Sequence, residues 1–291
     1  MANAINYASR FERELAQKFT RELRSGDLRT DAGRFSDAKT IKIPRMTLAG
    51  YKEHGRNGGW NRQNVESDYE TKTLTHDRDV EFFVDVMDVD ESNQVASAAN
   101  ITNVFTTEHS IPEIDKYRFS KLHTEVTALG YTPITTALTA SNILTQLDAM
   151  VEKMDEAEVP EEGRVLYLTP AVEKLLKQAI ENRRIVGVGG NSIDRRLFDV
   201  DSVALRKVPS SRMLTVYDFS DGVQPGTDAK QINMILLHPA AILAPVKHSA
   251  IYLHAPGTHT TGDGWLYQNR IYLDLFVIER KAAGIEMNVS A

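Results

Sequence analysis

Three clusters in the 291-residue chain carry side chains that could do chemistry. Gly187-Val188-Gly189-Gly190 follows Ile185-Val186, as a glycine turn that cradles a dinucleotide's phosphates follows a strand. The sixth position is Ser192, and Asp194-Arg195-Arg196 opens no apolar helix, so the fingerprint fails. Asp88, Asp90 and Ser92 match the first ligand positions of a calcium loop. Asn93 replaces the glycine of that turn and Ala99 the bidentate Glu, so the run reads as a solvated acidic strand end. His248, His254 and His259 could offer imidazole to zinc, but their spacing is not that of a metal-binding helical turn. Pro256-Gly257 lies between the last two, and they read as loop histidines. No nucleophile elbow, Walker loop or zinc-protease motif occurs. Acid/base pairs are assembled in three dimensions and leave no spacing to read. No catalytic residue, cofactor or metal is assigned, and the chain is not expected to be an enzyme.

Composition narrows the classes further. With 42% hydrophobic residues the chain can bury a sizeable core, in one large or two intertwined domains. A formal net charge of −6 argues against tight coating of nucleic acid, which needs clustered Lys and Arg on phosphates. Weak contact remains allowed. The absence of cysteine excludes disulfides and thiolate metal sites and fits a reducing cytoplasm. No apolar run reaches the roughly 18 residues of a membrane span; the best, Ile232 to Val246, contains Asn233, His238, Pro239 and Pro245. Met1 to Tyr7 shows no secretion signal, and a soluble intracellular product is expected.

The elements say more than the motifs. Lys39 to Leu48 alternates apolar and polar with a slip at Pro44-Arg45, as in a bulged or edge strand. His54-Gly55-Arg56-Asn57-Gly58-Gly59-Trp60-Asn61 is turn chemistry. From Tyr69 the chain returns through Val80, Phe82, Val84 and Val86, again with a period of two. A lone hairpin of this length is marginal in water and needs an outside surface. Residues 39–62 hold six Lys or Arg and one Glu, whereas 66–91 hold ten Asp or Glu and two basic residues. Two readings stay open: the limbs neutralise each other or simply form a solvated loop, or they meet another subunit. On the second, Lys42, Arg45, Lys52, Arg56, Trp60, Glu66 and Glu70 are contact residues.

Residues 1–38 read as an arm with one helix, its stripe formed by Ala8, Phe11, Leu15, Phe19 and Leu23. That stripe covers either the chain's own core or another chain, which makes Phe11, Leu15 and Phe19 candidate contacts. A helical region over 92–129 contains Pro112, which either opens a second helix or kinks one continuous helix. Phe119, Leu122, Val126 and Leu129 form its apolar face. A compact α/β region follows, with a helix through Ile143, Leu147, Met150, Val151 and Met154, a buried strand at Val165 to Leu168 and a helix opened by Pro170. Residues 185–196 read as a loop; 214–219, 232–237 and 271–278 read as strands.

In order and type, these parts resemble the major capsid protein of tailed bacteriophages, a fold shared with encapsulins. Three stretches carry the resemblance: Val104-Phe105 through Ile111-Pro112-Glu113-Ile114-Asp115-Lys116-Tyr117-Arg118, Asp155 to Pro170, and Trp265 to Val277, similar to the family's R-x-Y-x-D-x-F-V strand. The resemblance implies an α+β fold with an N-terminal arm (1–38), an E-loop hairpin (39–91), a peripheral domain with the spine helix (92–134 and 246–291) and an axial domain (135–245). It implies a structural subunit that forms hexamers and pentamers, closes an icosahedral shell around double-stranded DNA and belongs to the virion after assembly in the host bacterial cytoplasm. Partners would be further copies of itself, a portal protein, DNA through weak nonspecific contact and, because the arm is short, a separate scaffolding protein. No membrane partner is implied. Some members join subunits through an E-loop lysine; Lys39, Lys42, Lys52 and Lys72 lie in or near the hairpin, with no sign of an activating pocket. An encapsulin-type nanocompartment shell is the alternative.

Overall fold

The computed structural model describes residues 22–28, 39–54, 60–91, 98–181, 199–201 and 203–291. Phe11, Leu15, Phe19, Arg56 and the 185–196 loop lie outside the described residues.

Strands β1 (Thr40–Leu48) and β2 (Val65–Thr73) pair antiparallel in unbroken register, from Thr40 opposite Thr73 to Leu48 opposite Val65. The slip in the apolar pattern at Pro44-Arg45 is therefore not a bulge. Strand β3 (His76–Asp85) follows, then α1 (Val86–Glu91), α2 (Ala98–Phe105), a π turn at Thr106–Ser110 and α3 (Ile111–Ala128). Pro112 sits in the first turn of α3 and gives no N–H to the preceding turn. The wider π spacing falls immediately before it, and Ser110 and Ile111 keep helical dihedrals. Both sequence alternatives for Pro112 thus hold in part: a helix opens there without the chain leaving helical conformation.

The chain continues through α4 (Ile143–Glu156), β4 (Val165–Leu168), α5 (Pro170–Glu181), β5 (Asp199–Val200), β6 (Val203–Lys207), β7 (Tyr217–Asp218) and β8 (Gln224–Pro225). It ends with β9 (Ile232–Leu237), β10 (Ile242–Leu243), β11 (Val246–His254), β12 (Gly264–Leu273), β13 (Phe276–Val277) and β14 (Ile285–Val289). The strand read over 271–278 is split at Asp274, whose buried carboxyl accepts the Leu275 N–H at 2.8 Å and turns the chain. Of the 214–219 stretch only Tyr217–Asp218 is strand, with a bridge from Leu214 to Gln231.

The main sheet has the order β14-β9-β4-β6-β5, with β4 and β6 parallel and the other pairs antiparallel. Val165 and Tyr167 of β4 cluster with Phe119, Leu122 and Val126 of α3, while Leu166 and Leu168 cluster with Met150 and Met154 of α4 and Leu176 of α5. A strand covered on both faces has no polar side to show, which is why Val-Leu-Tyr-Leu is apolar throughout. The last strand, β14, joins this sheet beside β9, so residues 285–289 share a sheet with the 135–245 segment.

A second sheet has the order β11-β12-β3. Here the structure departs from the sequence reading. Residues 76–85 do not continue the return limb of the hairpin; they pair with residues 264–273, near the other end of the chain. The paired hairpin spans 40–73 rather than 39–91.

Candidate assembly surfaces

The hairpin is gripped along β1, from Ile41 at its root to Thr47 near the last pair. Ile41 is buried with Leu74, Tyr272 and Phe276. Arg280 donates to the Met46 carbonyl at 2.7 Å and to Thr47 Oγ1 at 2.6 Å. Arg45 pairs with Asp68 across the hairpin at 2.6 Å and with Glu279 at 3.1 Å. The guanidinium and the Tyr69 N–H hold the Asp68 carboxyl below its usual range.

Directly opposed residues share a face of a two-stranded ribbon. Ile41, Ile43, Arg45, Thr47, Glu66, Asp68 and Glu70 therefore lie on one face, and Pro44, Met46, Leu48, Val65, Ser67 and Tyr69 on the other. The first face turns its apolar residues, Ile41 and Ile43, to the chain's own body near the root. The second exposes Met46 (56%), Leu48 (63%), Val65 (62%) and Tyr69 (58%). The slip at Pro44-Arg45 is the point where the apolar side of β1 changes face, inward at the root and outward beyond it.

Magnitudes rank the two contributions. Full burial of one large apolar side chain is worth about 1.5–3 kcal/mol, whereas an exposed ion pair is worth about 0.2–1 kcal/mol. The outer apolar face is thus the larger reserve of binding energy on the hairpin, and the charge contrast the smaller.

The sequence-selected contact residues divide accordingly. Lys42, Lys52, Trp60 and Glu66 are exposed. Arg45 is half-exposed and engaged within the chain. Glu70 is buried and pairs with Lys72 at 3.1 Å, which also approaches Glu125 of α3 at 3.6 Å, so its carboxylate faces its own subunit. Arg45 is paired within the chain because the strand register sets it against Asp68, whereas Glu70 stands opposite Ile43 and takes its cation from Lys72 on its own limb.

Periodicity reading did not select a set of polar groups inside the spine. Asp115, fully buried, accepts the Ser25 N–H at 2.9 Å and Arg212 Nη1 at 2.8 Å. Arg118 donates to the Ser25 carbonyl at 2.8 Å, so residues 22–28 are fastened beneath α3. Asp274 accepts the Thr75 N–H at 2.7 Å and the Tyr117 hydroxyl at 2.7 Å. His76 stacks on Tyr117 with centroids 3.7 Å apart, and burial, with Arg78 adding to it, brings its pKa down to about 4. Arg78 pairs with Glu113 at 2.9 Å and donates to the Phe219 carbonyl, joining β3, α3 and the 219–222 turn. The signal was available: Asp115 and Arg118 occupy positions on the stripe of Phe119, Leu122 and Val126, where polar side chains must find buried partners. Among the described residues no group of His, Asp and Glu is arranged to hold a metal, and no helix is long and apolar enough to cross a membrane.

No protein-family model matches the chain, and no curated protein matches it. Solved structures do. The capsid structure of cyanophage P-SCSP1u is similar over 98% of this chain and 93% of that one, with a TM-score of 0.75 and 15% identity. The mature capsid of bacteriophage PhiM1 is similar over 97% of this chain and 91% of that one, with a TM-score of 0.72 and 14% identity. A structure from Mycobacterium phage Che8 covers 97% and 96%, with a TM-score of 0.67 and 13% identity. At such identities the likeness is one of fold: the chain has the α+β fold of phage capsid subunits.

Proposed function

We propose that this chain is the repeating head subunit of a tailed bacteriophage, a major capsid protein that forms hexamers and pentamers and closes an icosahedral shell around double-stranded DNA. The observation that carries this reading is the outward apolar face of the β1–β2 hairpin, Met46, Leu48, Val65 and Tyr69, which finds no cover among the described residues. A ribbon held to the body on one face and apolar and exposed on the other fits a contact with a neighbouring copy. A contact between two different patches of the same chain propagates around a ring. The fold likeness to phage capsid structures supports the same reading.

On this reading the segments 1–38, 92–134 with 246–291, and 135–245 act as arm, peripheral and axial regions, and Lys42, Lys52, Trp60 and Glu66 serve contacts between copies. The subunit has no catalytic role. The net charge of −6 keeps the shell from gripping DNA that must be packed and later released. A separate scaffolding protein and a portal complete the assembly, in the bacterial cytoplasm. Electron microscopy of the expressed protein, alone and with the products of neighbouring genes, tests this: closed shells of uniform size are expected, with nuclease-resistant DNA in those from infected cells. A small discrete oligomer under all conditions would overturn it.

A further inference from the structure

Beyond the paired strands the hairpin carries exposed cations around an aromatic side chain, and a groove beside β1 carries an acidic rim. The tip carries Trp60, 94% exposed, and the Asn61 amide fastens it to the opposite limb by donating to the Glu53 carbonyl at 2.9 Å. Lys52 and Arg62 flank it, exposed and without an ion pair among the described residues.

The groove holds about 270 Å³ between the turn after α4 and the 280–284 segment. Ala157, Val159, Pro160, Ala240 and Ala283 give it short apolar walls. Gly284 keeps its floor open, since a Cβ there would stand 3.2 Å from that of Ala241. Its acidic rim is Glu158, with Glu161 and Glu162 exposed just beyond. On the opposite wall Arg280 and Lys281 present cations, a favourable setting for an indole face. The turn is rigidly built: the Arg164 guanidinium, 2% exposed, reaches the Asp155 carboxylate at 2.7 Å and the carbonyls of Val159 and Pro160 at 2.6 and 3.0 Å.

Glu158 is the most telling residue. α4 ends in a Schellman arrangement, with the Val159 N–H on the Met154 carbonyl and the Glu158 N–H on the Asp155 carbonyl. Glu158 occupies the left-handed position at φ 55°, where glycine fits without strain. Its exposed side chain makes no bond among the described residues, so nothing there offsets the strain.

We infer that Trp60 of one copy seats in this groove on a neighbouring copy, with Lys52 and Arg62 set against Glu158 and Glu161. The occupant is a second copy rather than the chain's own tip, because in its own chain Trp60 stands 94% exposed and is not among the residues that line the groove, whose wall residue Arg280 is already engaged by β1 at Met46 and Thr47. The groove borders β1 at Met46 and Thr47 and Trp60 stands in the loop beyond Leu48 and Val65, so two different patches meet and the contact runs head to tail. The inference rests on the reading of this chain as a shell subunit.

The chain has no cysteine, which allows a clean test. Full-length Trp60→Cys and Ala240→Cys proteins are mixed, assembled and oxidised. Disulfide-linked dimers are expected from the mixture and not from either variant alone. In parallel, Trp60→Ala should raise the concentration for half-assembly about tenfold, as loss of an aromatic hot spot does. Glu158→Gly should leave the subunit's melting temperature equal or higher while also raising that concentration. Closed particles that form at the unaltered concentration with both variants, and without the disulfide, would overturn the inference and leave the shell reading intact. Failure of the unaltered protein to form particles at all would overturn both.

Discussion

The Tyr117 hydroxyl donates to the Asp274 carboxyl at 2.7 Å, joining the middle of the spine helix to the residue that ends strand β12, 157 positions later in the chain. The same carboxyl accepts the backbone and hydroxyl of Thr75 and the N–H of Leu275, so one buried acid fixes the meeting point of hairpin root, spine and three-stranded sheet.

Asp274→Ala strands three of these donors in the interior, and each unsatisfied buried group costs about 1–3 kcal/mol. Urea unfolding of the isolated subunit should show a loss of about 3 kcal/mol or more, and Tyr117→Phe a loss of about 1–3 kcal/mol. A change below about 0.5 kcal/mol for Asp274→Ala would mean that water replaces the carboxyl.

Acid should loosen the same joint through His76. Burial first, then the Arg78 charge, lowers its native pKa from 6.5 to about 4, while the Asp77 charge opposes the shift and Glu113 lies 3.9 Å away. The unfolded chain binds this proton at higher pH than the native one. The contribution is therefore complete above pH 6.5 and lost progressively as pH falls toward 4, by about 3 kcal/mol in all. Unfolding free energy measured across that window should slope downward with acid, and His76→Gln should flatten the slope. An unchanged slope in the variant would assign the acid sensitivity to other groups.

Arg45→Glu should disturb the hairpin within its own subunit, because Asp68 and Glu279 then face a like charge. Limited proteolysis across the tip should speed up, and adding Asp68→Lys in the same chain should slow it again. Rescue only by an altered second subunit would return Arg45 to the interface between copies.

On the shell-subunit reading, replacing residues 48–69 by a short turn should remove shell formation while leaving a folded protein, since the two large buried clusters draw nothing from that stretch. Calorimetry should retain one cooperative transition, and electron microscopy should find no closed particles. A non-cooperative melt would place the hairpin in the subunit's core.

Much of this was legible in the sequence for a definite reason. Val165 to Leu168 and Phe119, Leu122 and Val126 are selected by burial, and burial imposes period and composition. Partnership imposes neither. The alternation through Val80, Phe82 and Val84 would look the same whether the strand paired with the hairpin or, as it does, with Tyr267 and Gln268 on β12. The fate of Arg45 turned on register, which places it against Asp68 and is not written in either strand alone; Glu70 turned instead on burial against α3, beside Lys72 of its own strand. Glu158 escaped notice because a glutamate after a helix looks ordinary until its φ is known.

The hairpin's attachment at one end makes it a cantilever. Ile41, Arg45 and Arg280 clamp the fixed end, and the span beyond Leu48 and Val65 has no second support among the described residues. A force on its free end bends the span beyond that last pair and leaves the packing around Tyr167 and Met150 unloaded. On the reading of the chain as a shell subunit, neighbours set at the different angles of five-fold and six-fold rings would be met by bending that span, with the same body repeated throughout.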